Sequence, residues 1–349
     1  MRNIRLQVAI RRVPVSYGDR TGHAYSSRWL LPVVAILLSG CDGAQSALDP
    51  AGRSAEKIAD LFWWMAAGAA IIWTVVVGLT IYAVYLAPGR RIRQESSLII
   101  IGGTVVPTVV LSILLFYGLA MMPEMQAPAP EGSLKIAVTG EQWWWRIGYD
   151  SSTGERIALA NEIHLPIGEA VEFQLESADV IHSFWIPALG GKVDMIPGRQ
   201  TRLKLEPTRT GVFRGACAEY CGTSHALMTF YVVVSSREEF ENWLDQQQAP
   251  AQAPVGPLSI AGEQLFLTSG CGACHAVRGT VAQGEVGPDL THVGSRISIG
   301  AGILTNNSDD FLHWLMHTHT IKPEVGMPSF SMLPEEDLRA LAAYLDALQ

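Results

Sequence analysis

Two runs of nearly uncharged residues, Leu61 to Leu86 and Leu98 to Met122, stand on either side of the connector APGRRIRQESS. Each exceeds the ~20 apolar residues that a helix needs to cross the ~30 Å hydrocarbon core of a bilayer. The connector carries Arg90, Arg91 and Arg93, which the positive-inside rule assigns to the cytoplasm. Both outer ends of such a hairpin face the other side, so everything after Met122 is expected outside the cytoplasm. A buried hairpin in a soluble protein is the competing reading, and it leaves the arginine-marked turn without a reason. The apolar share of 48% and the charged share of 17% fit membrane segments better than an ordinary soluble domain. A net charge of −8 argues against a nucleic-acid partner, because phosphate binding needs a basic face.

Upstream of the hairpin, Arg2, Arg5, Arg11, Arg12, Arg20 and Arg28 precede the short apolar stretch WLLPVVAILLSG, which ends at Gly40. A basic region, a short apolar region and small residues form an export signal, assigned to residues 1–40. The ending Leu38-Ser39-Gly40-Cys41 resembles a bacterial lipobox, with a lipid expected on Cys41; an uncleaved signal with an ordinary cysteine is the alternative. The hairpin region is 41–130, with spans about 61–86 and 98–122. From 131 to 245 short runs such as LKIAVTG, EAVEFQLES and LMTFYVVVS, broken by Gly, Pro, Asp and Asn, predict an all-β sandwich or barrel. A short helical piece closes it near Trp243. Residues 246–257 (QQQAPAQAPVGP) form a Pro/Ala/Gln linker. Residues 258–349 change to helical patterns: GEQLFL, SDDFLHWLMH and a closing LPEEDLRALAAYLDALQ with Leu338, Leu341, Tyr344 and Leu345 on one face.

Within the β segment lies the loop C-A-E-Y-C-G-T-S-H-A-L-M, from Cys217 to Met228. Two thiols, an imidazole and a thioether are a soft donor set, which selects copper over hard cations. Cysteines four apart in a loop can bridge a metal pair, and His182 supplies a second imidazole upstream. A disulfide between Cys217 and Cys221 is the competing reading, and it leaves His182, His225 and Met228 unexplained.

These residues resemble the subunit II family of haem–copper oxidases. The shared features are the C-x-E-x-C-x3-H-x2-M loop, the D-V-x-H-S-F segment from Asp179, the stretch from Pro187 to Arg199, and Gln142-Trp143-Trp144-Trp145. The resemblance covers roughly 55–245 and implies a cupredoxin domain. It also implies a dinuclear CuA centre held by His182, Cys217, the Glu219 carbonyl, Cys221, His225 and Met228. Trp143 stands where the family docks a soluble cytochrome; barrel packing is its alternative reading. The Glu219 carboxylate is implied beside a magnesium ion at the subunit I interface. His164 reads as an ordinary surface or turn histidine. Many relatives carry a glutamate seven residues before the proline of the second span; here that position is Ile100, which cannot carry protons, and Glu95 is out of register.

Cys271-Gly-Ala-Cys274-His275 is a c-type haem attachment motif, two thiols for the vinyl groups and an axial imidazole. A zinc or redox CxxC would need further ligands or a βαβ pattern, and neither is present. Residues 258–349 resemble the small class I cytochromes c, with Gly262-x-x-x-Phe266 and the last helix as their crossed terminal helices. That resemblance places Met327 as sixth ligand, with Met332 and Met316 as alternatives, and Pro288 in the loop that orients the proximal histidine. Arg296 is a candidate haem-propionate contact. His313, His317 and His319 read as solvated or propionate-bonded.

The fold class is thus a multi-domain membrane protein: a two-helix transmembrane hairpin, an all-β cupredoxin domain and an all-α cytochrome c domain. Its expected role is subunit II of a bacterial cytochrome c oxidase in the inner membrane, with both globular domains on the periplasmic face. Subunits I and III, a cytochrome c donor and membrane lipid are the expected partners. Two alternatives stand beside it. One is the electron-accepting subunit of a copper-containing nitric oxide reductase, told apart by the partner's distal metal. The other is a copper or redox lipoprotein with no enzyme partner, told apart by co-purification with a polytopic haem protein.

Overall fold

The computed structural model describes residues 43–87, 95–150 and 156–349. The export segment, Cys41 and the three arginines of the turn lie outside them. The first apolar run is α1, Arg53–Ile81, continued by wider π-type turns over Tyr82–Leu86. The second is α2, Glu95–Ile100, π-type turns over Ile101–Val105, and α3, Val106–Gln126. Both helices run past the apolar stretches at their outer ends, because residues such as Glu56, Lys57 and Met125 are good helix formers. Trp64, Trp73, Tyr85 and Phe116 are exposed along the spans, as side chains facing lipid or another subunit are.

The outer ends of the two spans meet. Lys57 Nζ lies 2.5 Å from the Glu124 carboxylate, Arg53 pairs with Glu206 at 2.6 Å, and Lys204 donates to the Glu124 carbonyl at 3.1 Å. Residues just before α1 lie along the β domain: the Ala51 amide donates to Ala188 and the Arg214 amide to Ala44. The start of the first span and the end of the second therefore share one face with the β domain.

That domain is two five-stranded sheets. The first runs β3-β2-β1-β5-β8 and comprises β1 Leu134–Glu141, β2 Trp144–Asp150, β3 Arg156–Ala160, β5 Val171–Ser177 and β8 Thr201–Leu205. The second runs β4-β10-β9-β6-β7 and comprises β4 Glu162–Pro166, β6 His182–Trp185, β7 Val193–Met195, β9 Gly211–Cys217 and β10 Thr229–Ser235. Only β1/β5 and β4/β10 pair in parallel among the described strands. Period-two alternation explains the inner face: Val171, Phe173 and Leu175 point in from β5, and Phe230, Val232 and Val234 from β10. Trp145, Tyr149, Phe173, Phe184 and Phe230 are fully buried between the sheets. This is a cupredoxin-type sandwich.

Helix α4, Arg237–Gln248, opens on a capping box between Ser236 and Glu239. It reaches beyond Trp243 because the glutamines extend it until Pro250 forces Ala249 into extended backbone. Pro257 already opens α5, Pro257–Thr268, so the irregular connector is 249–256, shorter than 246–257. The last domain adds α6, Ser308–Ile321, kinked at His317, and α7, Glu335–Ala347. A two-residue strand pair, β11 Ser298–Ile299 with β12 Leu304–Thr305, was not foreseen in this otherwise helical domain. Helices α5 and α7 cross at Gly262, where a Cβ would lie 2.0 Å from the Ala340 carbonyl oxygen. Beside the crossing, the Phe266 and Tyr344 rings sit 5.5 Å apart.

Candidate functional site

Strand pairing assembles the first donor cluster. Phe184 of β6 stands opposite Cys217 of β9, so His182 and Cys217 arrive from neighbouring strand ends. The Ala218 amide donates to Ser183, and the Cys217 amide to Met228, which folds the loop back over the strands. Cys217 Sγ lies 3.8 Å from His182 Nδ1 and donates to the Glu219 carbonyl at 3.2 Å. Cys221 Sγ lies 3.5 Å from His225 Nδ1 and 3.9 Å from Met228 Sδ. The six positions singled out in the sequence are thus brought together.

No disulfide joins the two cysteines. The bond with Cys221, and after it the bond with His182, holds Cys217 well below the ordinary thiol range, while Cys217 and burial push Cys221 above it. Two thiols sharing negative charge beside imidazoles are a set that a soft metal pair would complete. His182 is oriented by Asp179, whose carboxylate meets Nε2 at 2.8 Å. Burial alone would lower the imidazole pKa, but the bonds to Cys217 and Asp179 raise it overall. Asp179 is a positioning residue that the sequence motif contained without revealing its role. Magnesium fits less well: among the described residues, the one convergent group of three or more His, Cys, Asp or Glu ligands is His182, Cys217 and Cys221. Glu219 alone makes no oxygen cage, and another chain would have to supply the rest.

The second donor set lines a cavity of about 600 Å³, with Cys271, Cys274, His275, Met327 and Arg296 on its walls. His275 Nδ1 donates to the Pro288 carbonyl at 2.8 Å, which fixes the tautomer with Nε2 free as an acceptor. Burial keeps this imidazole pKa low, so the ring is neutral and ligand-competent. Gly287 packs against it so closely that a Cβ would lie 2.5 Å from the ring. Met327 Sδ accepts from Trp314 Nε1 at 3.2 Å, an anchor the sequence did not show. Met332 is exposed, and Met316 packs into the domain core. His313, His317 and His319 are exposed and absent from the cavity wall. Arg296 donates to the Asp289 carbonyl at 2.5 Å, and burial holds its guanidinium below its usual pKa range. The apolar, partly enclosed cavity with two thiols and two axial donors fits a covalently held haem.

The cavity is closed on one side by the β domain itself, through Glu141, Gln142, Trp143 and Trp144. Trp143 is buried, and its Nε1 donates to the Cys221 carbonyl at 3.0 Å. The packing reading of Trp143 is the one the geometry shows: the ring is buried, lines the cavity and bonds the backbone of the cysteine loop. One expectation needs correction. His164 is no surface histidine: it stacks on Trp243 at 3.8 Å and pairs with Glu162 at 3.0 Å. Alternation put Ile163 and Leu165 in the core, and α4 covers the opposite face. Lys322 is buried at the edge of the same cavity, and burial pushes its ammonium down to about 7.

Comparison with known proteins bears on the whole chain. Residues 150–236 match the cytochrome C oxidase subunit II periplasmic domain, and residues 259–349 match the cytochrome c family. The cytochrome c oxidase subunit 2 of Alkalihalophilus pseudofirmus is 36% identical, covering 93% of this chain and 97% of its own. The chain belongs to the cytochrome c oxidase subunit II family. Another member, from Bacillus subtilis, is 30% identical over 92% of this chain and 96% of its own. The solved periplasmic domain of subunit II of cytochrome oxidase from Bradyrhizobium japonicum is 33% identical, covers 35% of this chain and 97% of its own, and has a TM-score of 0.32. The 93% and 92% of this chain that the two full relatives cover carry the likeness past the β domain and into the haem-motif domain.

Proposed function

We propose that this chain takes electrons from a cytochrome c outside the bacterial inner membrane and delivers them to the haem–copper subunit I, which reduces O₂ to water, with subunit III as a further neighbour. Full-length kinship with oxidase subunit II supports this reading. So do two bare apolar helices with both outer ends at the β domain. In this reading His182, Cys217, Cys221, His225, Met228 and the Glu219 carbonyl hold CuA. Cys271 and Cys274 hold haem c, with His275 and Met327 as axial ligands and Arg296 at a propionate. Bound there, the two groups supply a pair of one-electron stations. Cys41 carries lipid as a further tether, and any magnesium at Glu219 is shared with subunit I.

The chain's own residues make transfer between the stations fast by holding still. Asp179 orients His182, Pro288 orients His275, and Trp314 fixes the Met327 sulfur, so little moves when charge changes. Phe311, Leu315, Leu341 and Leu345 keep the cavity wall dry. One observation carries the reading: Trp143 lines the haem-sized cavity and hydrogen-bonds the backbone of the copper loop. Ile100 sits exposed in the second span and carries no ionisable group, so no proton-entry role is assigned to that position.

The test is metal analysis with optical and EPR spectra of the full chain, matured with copper and haem supplied. A dinuclear copper signal delocalised over both metals and one haem c per chain is expected. A fully matured chain without copper, or with Cys217 and Cys221 oxidised to cystine, overturns the proposal.

A further inference from the structure

The loop that carries His225 and Met228 is gripped from the haem-motif domain on two sides. On one side, Ser224 Oγ donates to the Pro323 carbonyl at 2.6 Å, and Thr223 Oγ1 to the Glu324 carboxylate at 2.7 Å. On the other, Thr229 donates through its hydroxyl to the Ala301 carbonyl at 2.7 Å, and Arg214 Nη2 to Gly302 at 3.3 Å. Lys322 ties the two sides together. It caps the C-terminal end of α6, and its ammonium donates to the Leu227 carbonyl at 2.9 Å and to the Gly300 carbonyl at 3.0 Å. Leu227, directly before Met228, is the last residue of the single helical turn that begins at His225. The Lys322 side chain is buried and also lines the cavity.

A lysine is almost never this buried unless something holds it there. Both its partners are neutral carbonyls, one on each domain, so its placement fixes the domains against each other rather than neutralising a charge. We propose that Lys322 is the positioning residue that sets the His225–Met228 turn against the haem cavity, and with it the contact through which electrons cross between domains. One electron leaves the haem domain and one arrives at the copper loop; no bond or proton changes at Lys322. Trp143 reaches the Cys221 end of the same loop from the β domain side. Lys322 holds the opposite end from the haem side.

The inference rests on the reading that this loop holds copper and the cavity holds haem. Metal content of the unaltered chain tests that reading alone, so the two fail separately. The first measurement needs no metal: amide hydrogen exchange of residues 222–229 in the full chain purified without copper. Lys322→Met is expected to speed exchange in that loop about tenfold, the equivalent of about 1.4 kcal/mol. Exchange in α5 and α7 should stay unchanged. Lys322→Gln, which can still donate to both carbonyls, should recover part of the protection. In the metal-loaded chain the copper EPR hyperfine pattern should shift and interdomain electron transfer should slow, while the haem spectrum holds. Should Lys322→Met impair folding, Ser224→Ala removes a neighbouring tie from the copper side and should move the same loop exchange in the same direction. Unchanged loop exchange and copper spectrum in folded Lys322→Met and Ser224→Ala chains would overturn the proposal.

Discussion

Tyr149 lies fully buried, its hydroxyl donating to the His164 carbonyl at 2.9 Å and accepting from the His164 amide at 2.8 Å. Burial pushes the phenol pKa far above its ordinary value, so the group is a neutral bridge under all working conditions. Tyr149→Phe would leave both backbone groups of His164 without that partner, a cost of about 1–3 kcal/mol. A lower melting temperature of the full chain in detergent, followed by tryptophan fluorescence, is the expected outcome; an unchanged melt would mean that water replaces the hydroxyl. At this scale the sequence was readable where chemistry and spacing coincide. The loop from Cys217 to Met228 and the Cys271–His275 motif announce their donors by residue type alone. The residues that orient those donors were not readable. Trp314 meets Met327 only because α6 and the following loop fold back on each other. His164 looked like a turn residue because the ring that stacks on it, Trp243, lies far along the chain.

Helices and strands followed their periodicity, and their ends followed local chemistry that periodicity ignores. The reach of α4 past Trp243 is one case: glutamine carries no apolar signal, yet it continues a helix until Pro250 intervenes. The short β11–β12 pair is another, since two residues per strand leave no alternation to detect. Where two elements press together, a packing rule overrides propensity. Alanine outranks glycine in an isolated helix by about 1 kcal/mol. At Gly262, however, the added carbon would meet the Ala340 carbonyl oxygen at 2.0 Å, and backbone cannot swing aside as a side chain can. Gly262→Ala should therefore destabilise the haem-motif domain by about 1–3 kcal/mol, because α5 and α7 must part. The measurement is thermal loss of the native haem absorbance in matured chains. A variant that melts later than the parent would show that the crossing is looser than this contact requires.

At the scale of the whole molecule, the proposed function implies two electron-transfer steps that should respond differently to salt. The haem-motif domain has four basic residues, Arg278, Arg296, Lys322 and Arg339, against ten acidic ones. The structure makes its outer surface more acidic than that count implies. Lys322 is buried at the domain boundary and Arg296 faces the cavity, while the Arg278–Asp289 pair at 2.9 Å cancels one charge of each sign. Under the proposed function, the field of this excess negative charge should steer a basic external cytochrome towards the domain, whereas a merely solvated acidic surface would not. That field is screened as the Debye length falls from ~30 Å at 0.01 M to ~8 Å at 0.15 M salt. The boundary between the two domains carries hydrogen bonds to the backbone carbonyls of Ala301, which is buried, of Leu227 and Gly300, which are part-buried, and of Glu285, which is exposed; the sheltered ones salt hardly touches. Stopped-flow reduction by a basic cytochrome c should thus give a second-order rate that falls steeply across this salt range. Flash-initiated transfer within the chain should keep one rate throughout. An internal rate that dropped with salt would mean the domains part in solution and dock only through charge, and the hydrogen-bonded boundary would lose its role. A salt-insensitive second-order rate would instead remove the acidic surface from the choice of donor.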